Sequence, residues 1–267
     1  MAEYGEIRRL WALDAPQLTV DRGLLVVGAG GEPVTIPAPS FLIEHDEGLM
    51  IFDTGLAADG AGDPAAAYGP VAEAFQIDFP AEHRLDRQIE ALGFQTSDVR
   101  QVIISHLHFD HTGGLVHFPG AEGFIGAGEM RYARTADPVL HGFFREQDLD
   151  AAAKIRWREL PAGYDHDVFG DGSVTLLSLP GHTPGSLGLG LRFQDRYLVL
   201  SGDSAHLHGN VDATIGMTLD ADTVGKLDSL RKLRLLESRP DTTLWVNHDP
   251  ADWQEYRANG KEVSFGR

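Results

Sequence analysis

An α/β fold is predicted by three features of this sequence. Short apolar runs rich in Val, Ile, Leu and Phe recur along the chain, helical patterns separate them, and polar residues stand directly behind five of them. The order strand, helix, strand occurs twice, in halves divided near residue 170, with no clear internal repeat. With 267 residues and 42% hydrophobic content, the chain can bury a sizeable core as one domain over 1–267. Cap or insert segments are expected near 56–80 and 127–165.

Residues 7–13, 24–27 and 41–44 read as β-like runs punctuated by Gly and Pro. Gly28-Ala29-Gly30-Gly31 hints at a dinucleotide loop, but Pro33 occupies the last Gly position of G-x-G-x-x-G and no helical pattern follows. A hairpin turn is the better account. Residues 49–52 form an apolar strand ending in Asp53-Thr54-Gly55. An Asp there either forms the turn or orients a neighbouring ligand, and both readings stay open. Residues 56–80, rich in Ala, Gly and Pro, read as an irregular excursion outside the core. Residues 82–92 read as a helix with Leu85, Ile89 and Leu92 on one face, stopped by Gly93.

The strand at 102–104 delivers Ser105-His106-Leu107-His108-Phe109-Asp110-His111-Thr112-Gly113-Gly114, where the Gly pair predicts a sharp turn. A strand at 122–125 follows, then a mostly helical stretch over 127–157, read equally well as a cap or as core. His141 and His166 have no partners at metal spacing and are expected to be surface or structural. The strand at 173–179 ends at Pro180-Gly181-His182-Thr183-Pro184-Gly185. A hairpin over 187–193 and 196–200 ends at Ser201-Gly202-Asp203-Ser204-Ala205-His206. Residues 221–238 read as an amphipathic helix on Val224, Leu227, Leu230, Leu233 and Leu236, and the strand at 243–246 ends at Asn247-His248.

Asp53, the His106–His111 loop, His182, Asp203 and His248 therefore share one address, the strand-end edge of a sheet. His106, His108, Asp110, His111, His182, Asp203 and His248 are more donors than one tetrahedral zinc requires. They suit two divalent ions with a carboxylate between them, and such a pair activates a water near neutral pH. Imidazole and carboxylate admit Zn, Mn, Fe and Co. Other nucleophiles are not offered: there is no Cys, no G-x-S-x-G and no H-E-x-x-H. The formal net charge of −18 argues against nucleic acid and anionic membrane as partners. No run approaches the ~18 apolar residues of a spanning helix. Residues 1–6 carry no signal-peptide pattern, so a soluble cytoplasmic protein is expected.

His106-x-His108-x-Asp110-His111, with Asp53-Thr54-Gly55 before it and Gly181-His182-Thr183-Pro184-Gly185, Gly202-Asp203 and His248 after it, resembles the metallo-β-lactamase superfamily across residues 40–250. The resemblance implies an αβ/βα four-layer sandwich, with two mixed sheets face to face, helices outside and two metals at one edge. It implies that His106, His108 and His182 hold one ion, that Asp110, His111 and His248 hold the other, and that Asp203 bridges them. Within the superfamily, the string around His106, residues 41–44 and 49–55, and the chain length are similar to the N-acyl-homoserine-lactone lactonases. That likeness implies opening of a lactone ring by a bridging hydroxide, with Asp110 relaying a proton to the leaving alkoxide. It also implies a small-molecule lactone as partner and, by analogy, a homodimer; zinc is the ion expected from the imidazole and carboxylate donors.

One position departs from the lactonase pattern. His206 stands where many of these enzymes place a Tyr that meets the substrate carbonyl. An imidazole N–H donates the same hydrogen bond, while the bland alternative is a loop residue facing solvent. Phe109 packs either against an acyl chain or into the core. The run His248-Asp249-Pro250-Ala251-Asp252-Trp253 is similar to the end of 4-pyridoxolactonase, which keeps another lactone in view. A hydroxyacylglutathione hydrolase would want a basic cluster; Arg231, Lys232 and Arg234 read instead as a solvated helix face.

Overall fold

The computed structural model describes residues 5–263; the first four residues of the stretch read as lacking a signal peptide lie outside it. In chain order the strands are β1 (Ile7–Ala12), β2 (Gln17–Asp21), β3 (Pro33–Pro37), β4 (Phe41–His45), β5 (Gly48–Phe52), β6 (Val99–Ile103), β7 (Glu122–Gly126), β8 (Arg156–Leu160), β9 (His166–Asp167), β10 (Val174–Ser178), β11 (Leu187–Arg192), β12 (Tyr197–Leu200) and β13 (Thr242–Trp245). One mixed sheet has the order β1-β4-β5-β6-β7-β8, and a second has β13-β12-β11-β10-β9. The chain passes from the first to the second between residues 160 and 166, close to the expected division.

Strand periodicity explains the layering. Phe41 and Ile43 of β4, Met50 and Phe52 of β5, and Ile103 of β6 point between the sheets. There they meet Val174, Leu176, Leu189, Leu198, Leu200 and Trp245 of the second sheet. The alternate residues Leu42, Leu49, Ile51 and Val102 face outward, yet are equally buried. Strands covered on both faces read as continuous apolar runs, which is why these segments show no polar alternation. The helices are α1 (Arg22–Leu25), α2 (Pro64–Tyr68), α3 (Pro70–Ala74), α4 (Leu85–Ala91), α5 (Phe109–Thr112), α6 (Glu129–Thr135), α7 (Glu146–Ala152), α8 (His208–Ala213), α9 (Thr223–Glu237) and α10 (Pro250–Tyr256). Helices α4, α6 and α7 cover the outer face of the first sheet through Leu85, Ile89, Ala133 and Leu149. Leu230, Leu233 and Leu236 of α9 cover the second. Each buried leucine contributes about 1.5–3 kcal/mol relative to exposure. The result is the four-layer αβ/βα sandwich.

Several local expectations differ from the structure. Residues 24–27 are not a strand: Asp21 Oδ1 accepts the Gly23 N–H at 2.6 Å and caps one helical turn, α1. The glycines behind it, with Gly28 at φ 85° and Gly31 at φ 106°, bring the chain back so that β3 pairs antiparallel with β2. Residues 56–80 contribute to a core of their own. Leu56, Ala57, Tyr68, Ala72 and Phe79 are buried against Val20, Ile36, Phe109 and Leu207. Two short helices, α2 and α3, carry Tyr68 and Ala72 into that core, which the Ala-, Gly- and Pro-rich composition of the segment did not reveal. Val224 is exposed while Lys226 is buried, because a strict three-residue step drifts off a 3.6-residue helix.

Gly113 and Gly114 do not make a sharp turn. Both continue the right-handed helical path behind α5. They are glycine because of close approach: a Cβ on Gly113 would stand 1.8 Å from the Ala57 nitrogen. Their N–H groups donate to the carbonyls of Gly55 and Thr54 at 2.8 and 3.1 Å, which pins the histidine loop to the Asp53-Thr54-Gly55 turn.

Candidate active site

Five strands deliver the predicted donors to one edge of the sandwich. Asp53 follows β5, and His106–His111 follow β6. His182 follows β10, Asp203 follows β12, and His248 follows β13. The seven predicted metal-binding side chains are all buried. They form two groups in which potential ligand atoms lie within 4.8 Å of one another: His106, His108, His182 and Asp203, and then Asp110, His111 and His248.

Asp203 stands between them. Its Oδ2 lies 3.6 Å from His106 Nε2 and 3.5 Å from His182 Nε2. Its Oδ1 lies 3.2 Å from His111 Nε2 and 2.9 Å from His248 Nε2. One carboxylate oxygen therefore addresses each group. Asp110 Oδ2 faces the second group, 3.6 Å from His111 Nε2 and 3.7 Å from His248 Nε2.

The other ring nitrogen of four of the five histidines is held from behind. His106 Nδ1 meets Ser105 Oγ at 3.0 Å and His111 Nδ1 meets Asp53 Oδ2 at 2.8 Å. His182 Nδ1 meets Asp220 Oδ1 at 3.3 Å, and His248 Nδ1 donates to the Pro37 carbonyl at 2.5 Å. Such backing fixes the tautomer and leaves Nε2 free to ligate. His108 presents the opposite nitrogen: its Nδ1 faces His182 Nε2 at 3.0 Å. Asp53 therefore does both things its position allowed. It turns the chain at φ 55°, and it orients His111 while its Oδ1 accepts the Ser105 N–H at 2.7 Å.

These residues fit divalent metal. His106 Nε2 is buried with no hydrogen-bond partner among the described residues, a costly arrangement for a polar atom that no ligand uses. His108 Nδ1 and His182 Nε2 lie 3.0 Å apart with Asp203 Oδ2 3.5 Å from the latter, converging as ligands of one cation do. Burial lowers the pKa of His106 and His182 well below the ordinary value, and burial takes His108 down to about 3. Ligation requires that neutral form. Burial disfavours charge at His111 and His248 too, but Asp203 and Asp110 outweigh it and raise both. Burial would likewise raise Asp203; the imidazoles of His248, His111, His206 and His106 hold it well below the carboxylate range.

His206 is not a solvent-facing loop residue. It is buried, its Nε2 lies 3.2 Å from Asp203 Oδ2, and its ring packs against those of His182 and His248. Burial lowers its pKa despite Asp203, which favours the neutral ring. Phe109 lies at the pocket wall and in the core at once, packed on Tyr68 and Phe75 with centroids 5.4 and 5.6 Å away. A cavity of about 30 Å³ opens onto the donors, walled by Leu24, Leu25, Ile36, Phe75, Phe143 and Met217. Phe75 and Phe143 come from the two segments read as caps. A larger groove, about 570 Å³, runs along β1 and residues 192–195 and contains none of the donors.

Sequence reasoning missed three supports of this site. Asp220 backs His182, and its spacing from the ligand loop carries no signal. Lys226 is fully buried beside it. Glu129 accepts the N–H groups of Leu107 and Gly185 at 3.2 and 2.9 Å, and burial pushes its carboxyl up to about 7. His141 is exposed and His166 lies on β9, and neither belongs to the two donor groups.

His208 belongs to the scaffold. Its Nε2 meets the two oxygens of Asp252 at 2.9 and 2.8 Å, tying α8 to α10, and this bond raises its pKa from 6.5 to about 9. A folded-state pKa above the unfolded value adds stability that is complete below about pH 6.5 and is lost as pH rises through about 9. His208→Ala is therefore expected to lower the Tm most near pH 6 and least near pH 9.5. Thermal melts across that range check it, and a deficit that does not shrink would refute it.

A buried set of histidines and aspartates, divided in two by one carboxylate at the edge of an αβ/βα sandwich, defines a divalent-metal protein. The chain belongs to the metallo-beta-lactamase superfamily, whose family model matches residues 35–248. N-acyl homoserine lactonase AttM of Rhizobium radiobacter is 34% identical over 232 residues, covering 85% of this chain and 87% of that protein. N-acyl homoserine lactonase AttM of Azorhizobium caulinodans is 35% identical over the same length and coverage. The structure of an N-acyl homoserine lactone hydrolase with N-hexanoyl-L-homoserine at its catalytic metal center matches with a TM-score of 0.82. It is 20% identical and covers 96% of this chain and 99% of that one. This last likeness supports the fold. Among the described residues, no helix is long and apolar enough to cross a membrane.

Proposed function

We propose that this protein is a metal-dependent hydrolase that opens the lactone ring of N-acyl-homoserine lactones. The observation that carries the reading is Asp203, with one oxygen toward each donor group, in a chain 34% identical to a lactonase over most of its length. His106, His108 and His182 would hold one ion and Asp110, His111 and His248 a second, with Asp203 shared. Zinc is the proposed ion, since imidazole and carboxylate are its usual catalytic ligands. Divalent ions at this site would supply Lewis acidity toward the ester carbonyl and a nucleophile at neutral pH.

The protein's own residues do the rest. The Nδ1 partners Ser105, Asp53, Asp220 and the Pro37 carbonyl keep the imidazoles aimed inward, so no reorganisation is needed during turnover. Asp110, which borders the pocket, would carry a proton to the alkoxide released from the ring. His206 supplies an N–H toward the lactone carbonyl, the place taken by Tyr in many lactonases. Phe75, Phe109 and Phe143 form an apolar wall that excludes water and receives the acyl portion.

The test is proton release from a panel of acyl-homoserine lactones of several acyl lengths, with 4-pyridoxolactone included. Acid production above background on the acyl-homoserine lactones supports the proposal. Its absence with both ions bound would overturn it, and turnover of 4-pyridoxolactone alone would move the assignment to another lactone. His206→Ala is expected to slow turnover by roughly 100-fold, the lower end of what one lost transition-state hydrogen bond costs in a dry site. Both ions should remain bound. A rate unchanged from the parent protein would remove His206 from the reaction.

A further inference from the structure

Lys226 is the one lysine among the fully buried side chains of the described residues, at 0% exposure, and it sits beside a set of donors that attract cations. Burying an ammonium is costly unless it is paired and hydrogen-bonded. Here it is both. Its Nζ donates to the main-chain carbonyl of Asp203 at 2.7 Å and lies 3.2 Å from Asp220 Oδ1. That same Oδ1 meets His182 Nδ1, while Asp220 Oδ2 accepts the Met217 N–H at 2.8 Å. One ammonium thus reaches two donors of the first group, Asp203 through its backbone and His182 through Asp220.

The surrounding backbone is built to hold this arrangement. The N–H groups of Ala221 and Asp222 donate to the carbonyls of His182 and Gly181 at 3.1 and 2.9 Å, joining the His182 loop to the start of α9. Gly181, at φ 138°, lies directly on that helix: a Cβ there would stand 2.2 Å from the Lys226 main-chain nitrogen. A Cβ on Gly216 would stand 2.4 Å from Asp220 Oδ2. At both places the glycine main chain passes too close to its neighbour for any side chain, which accounts for the two glycines.

We propose that Lys226 is a positioning residue for the first metal group, fixing Asp203 and, through Asp220, the imidazole of His182. The competing account is a buried ion pair that only fastens α9 to the second sheet. The two differ in what the ions do when the pair is broken. If Lys226 positions the donors, its loss weakens one ion of the two and spares the other. If it only fastens the helix, its loss acts like any destabilising change in α9.

The experiment uses the full chain loaded with two Co²⁺ ions. It follows ion release to a chelator and the cobalt absorption bands, and compares Lys226→Met, Asp220→Asn and Leu233→Ala. Leu233 is packed on the same helix but among apolar residues, so its variant controls for stability. Lys226→Met and Asp220→Asn are expected to release one ion about tenfold faster or more, with altered bands, as disturbed partners of ligands commonly do. Leu233→Ala is expected to keep both ions at the parent rate. Equal effects in all three variants, or parent-like release in Lys226→Met and Asp220→Asn, would overturn the assignment. Should Lys226→Met not fold, release from Asp220→Asn decides by the same criterion. The inference rests on the metal reading of the site and not on the lactone. A parent protein that takes up fewer than two ions overturns both the metal reading and this assignment. One that takes up two and opens no lactone fails the functional proposal alone, and the release rates still decide the role of Lys226.

Discussion

Removal of divalent ions with a chelator is expected to reduce lactone opening by roughly three orders of magnitude or more, because the ions supply both the electrophile and the nucleophile. Elsewhere in the chain no substitute is at hand. The sequence contains no cysteine, and the serines beside the donors, Ser105, Ser201 and Ser204, are fully buried and none of them lines the cavity that opens onto the donors. The stripped protein should also melt earlier. A ligand present at a thousand times its Kd stabilises the folded state by about 4 kcal/mol, and two ions act together here. Activity assays and thermal melts before and after chelation, with Zn²⁺, Mn²⁺ or Co²⁺ returned, measure both effects. Turnover by the stripped protein within tenfold of the loaded one would end the metal-hydrolase reading.

The α/β class and the donor set were legible in the sequence for one physical reason, while the four-layer sandwich was implied by the resemblance to the metallo-β-lactamase superfamily. A strand buried on both faces is a continuous apolar run, so its end is sharply marked, and a polar residue just behind it stands out. His106, His182, Asp203 and His248 all carry that mark. The supports of the site do not. Asp220 sits in a turn where an acidic residue before a helix is ordinary, and its contact with His182 spans 38 residues. Lys226 lies on a helix whose leucine spacing drew attention to Leu230, Leu233 and Leu236, and a lysine there reads as solvated until the close pass of Gly181 is known. Local rules also failed where tertiary contact took over. Gly113 and Gly114 are punctuation in a sequence, but in the structure Gly113 is space for the Leu56-Ala57 backbone and Gly114 is space for Leu85 and Thr54. The excursion at 56–80, rich in Ala, Gly and Pro, read as lying outside the core, yet its Tyr68 and Phe75 pack on Phe109.

Asp203 is the residue whose replacement separates a two-ion site from a one-ion site. Asp203→Asn keeps the shape of the side chain, and its main-chain carbonyl can still be held by Lys226, so the turn at Gly202–Ser204 should survive. What changes is the chemistry of the two oxygens. An amide offers an oxygen to one donor group only and turns an NH₂ toward the other, and it has no negative charge to place between two dications. Metal content is therefore expected to fall from two ions per chain toward one, and turnover by roughly three orders of magnitude. His206→Ala provides the contrast, with its smaller loss of rate and both ions retained. The buried imidazoles that now depress the pKa of Asp203 would lose their counter-charge, and His111 and His248 would no longer be raised by it. Metal analysis and single-turnover assays on the same preparation decide the matter. Two ions bound with turnover within tenfold of the parent protein would show that the carboxylate does not join the groups. A single ion with most of the turnover retained would show that one ion suffices for the chemistry.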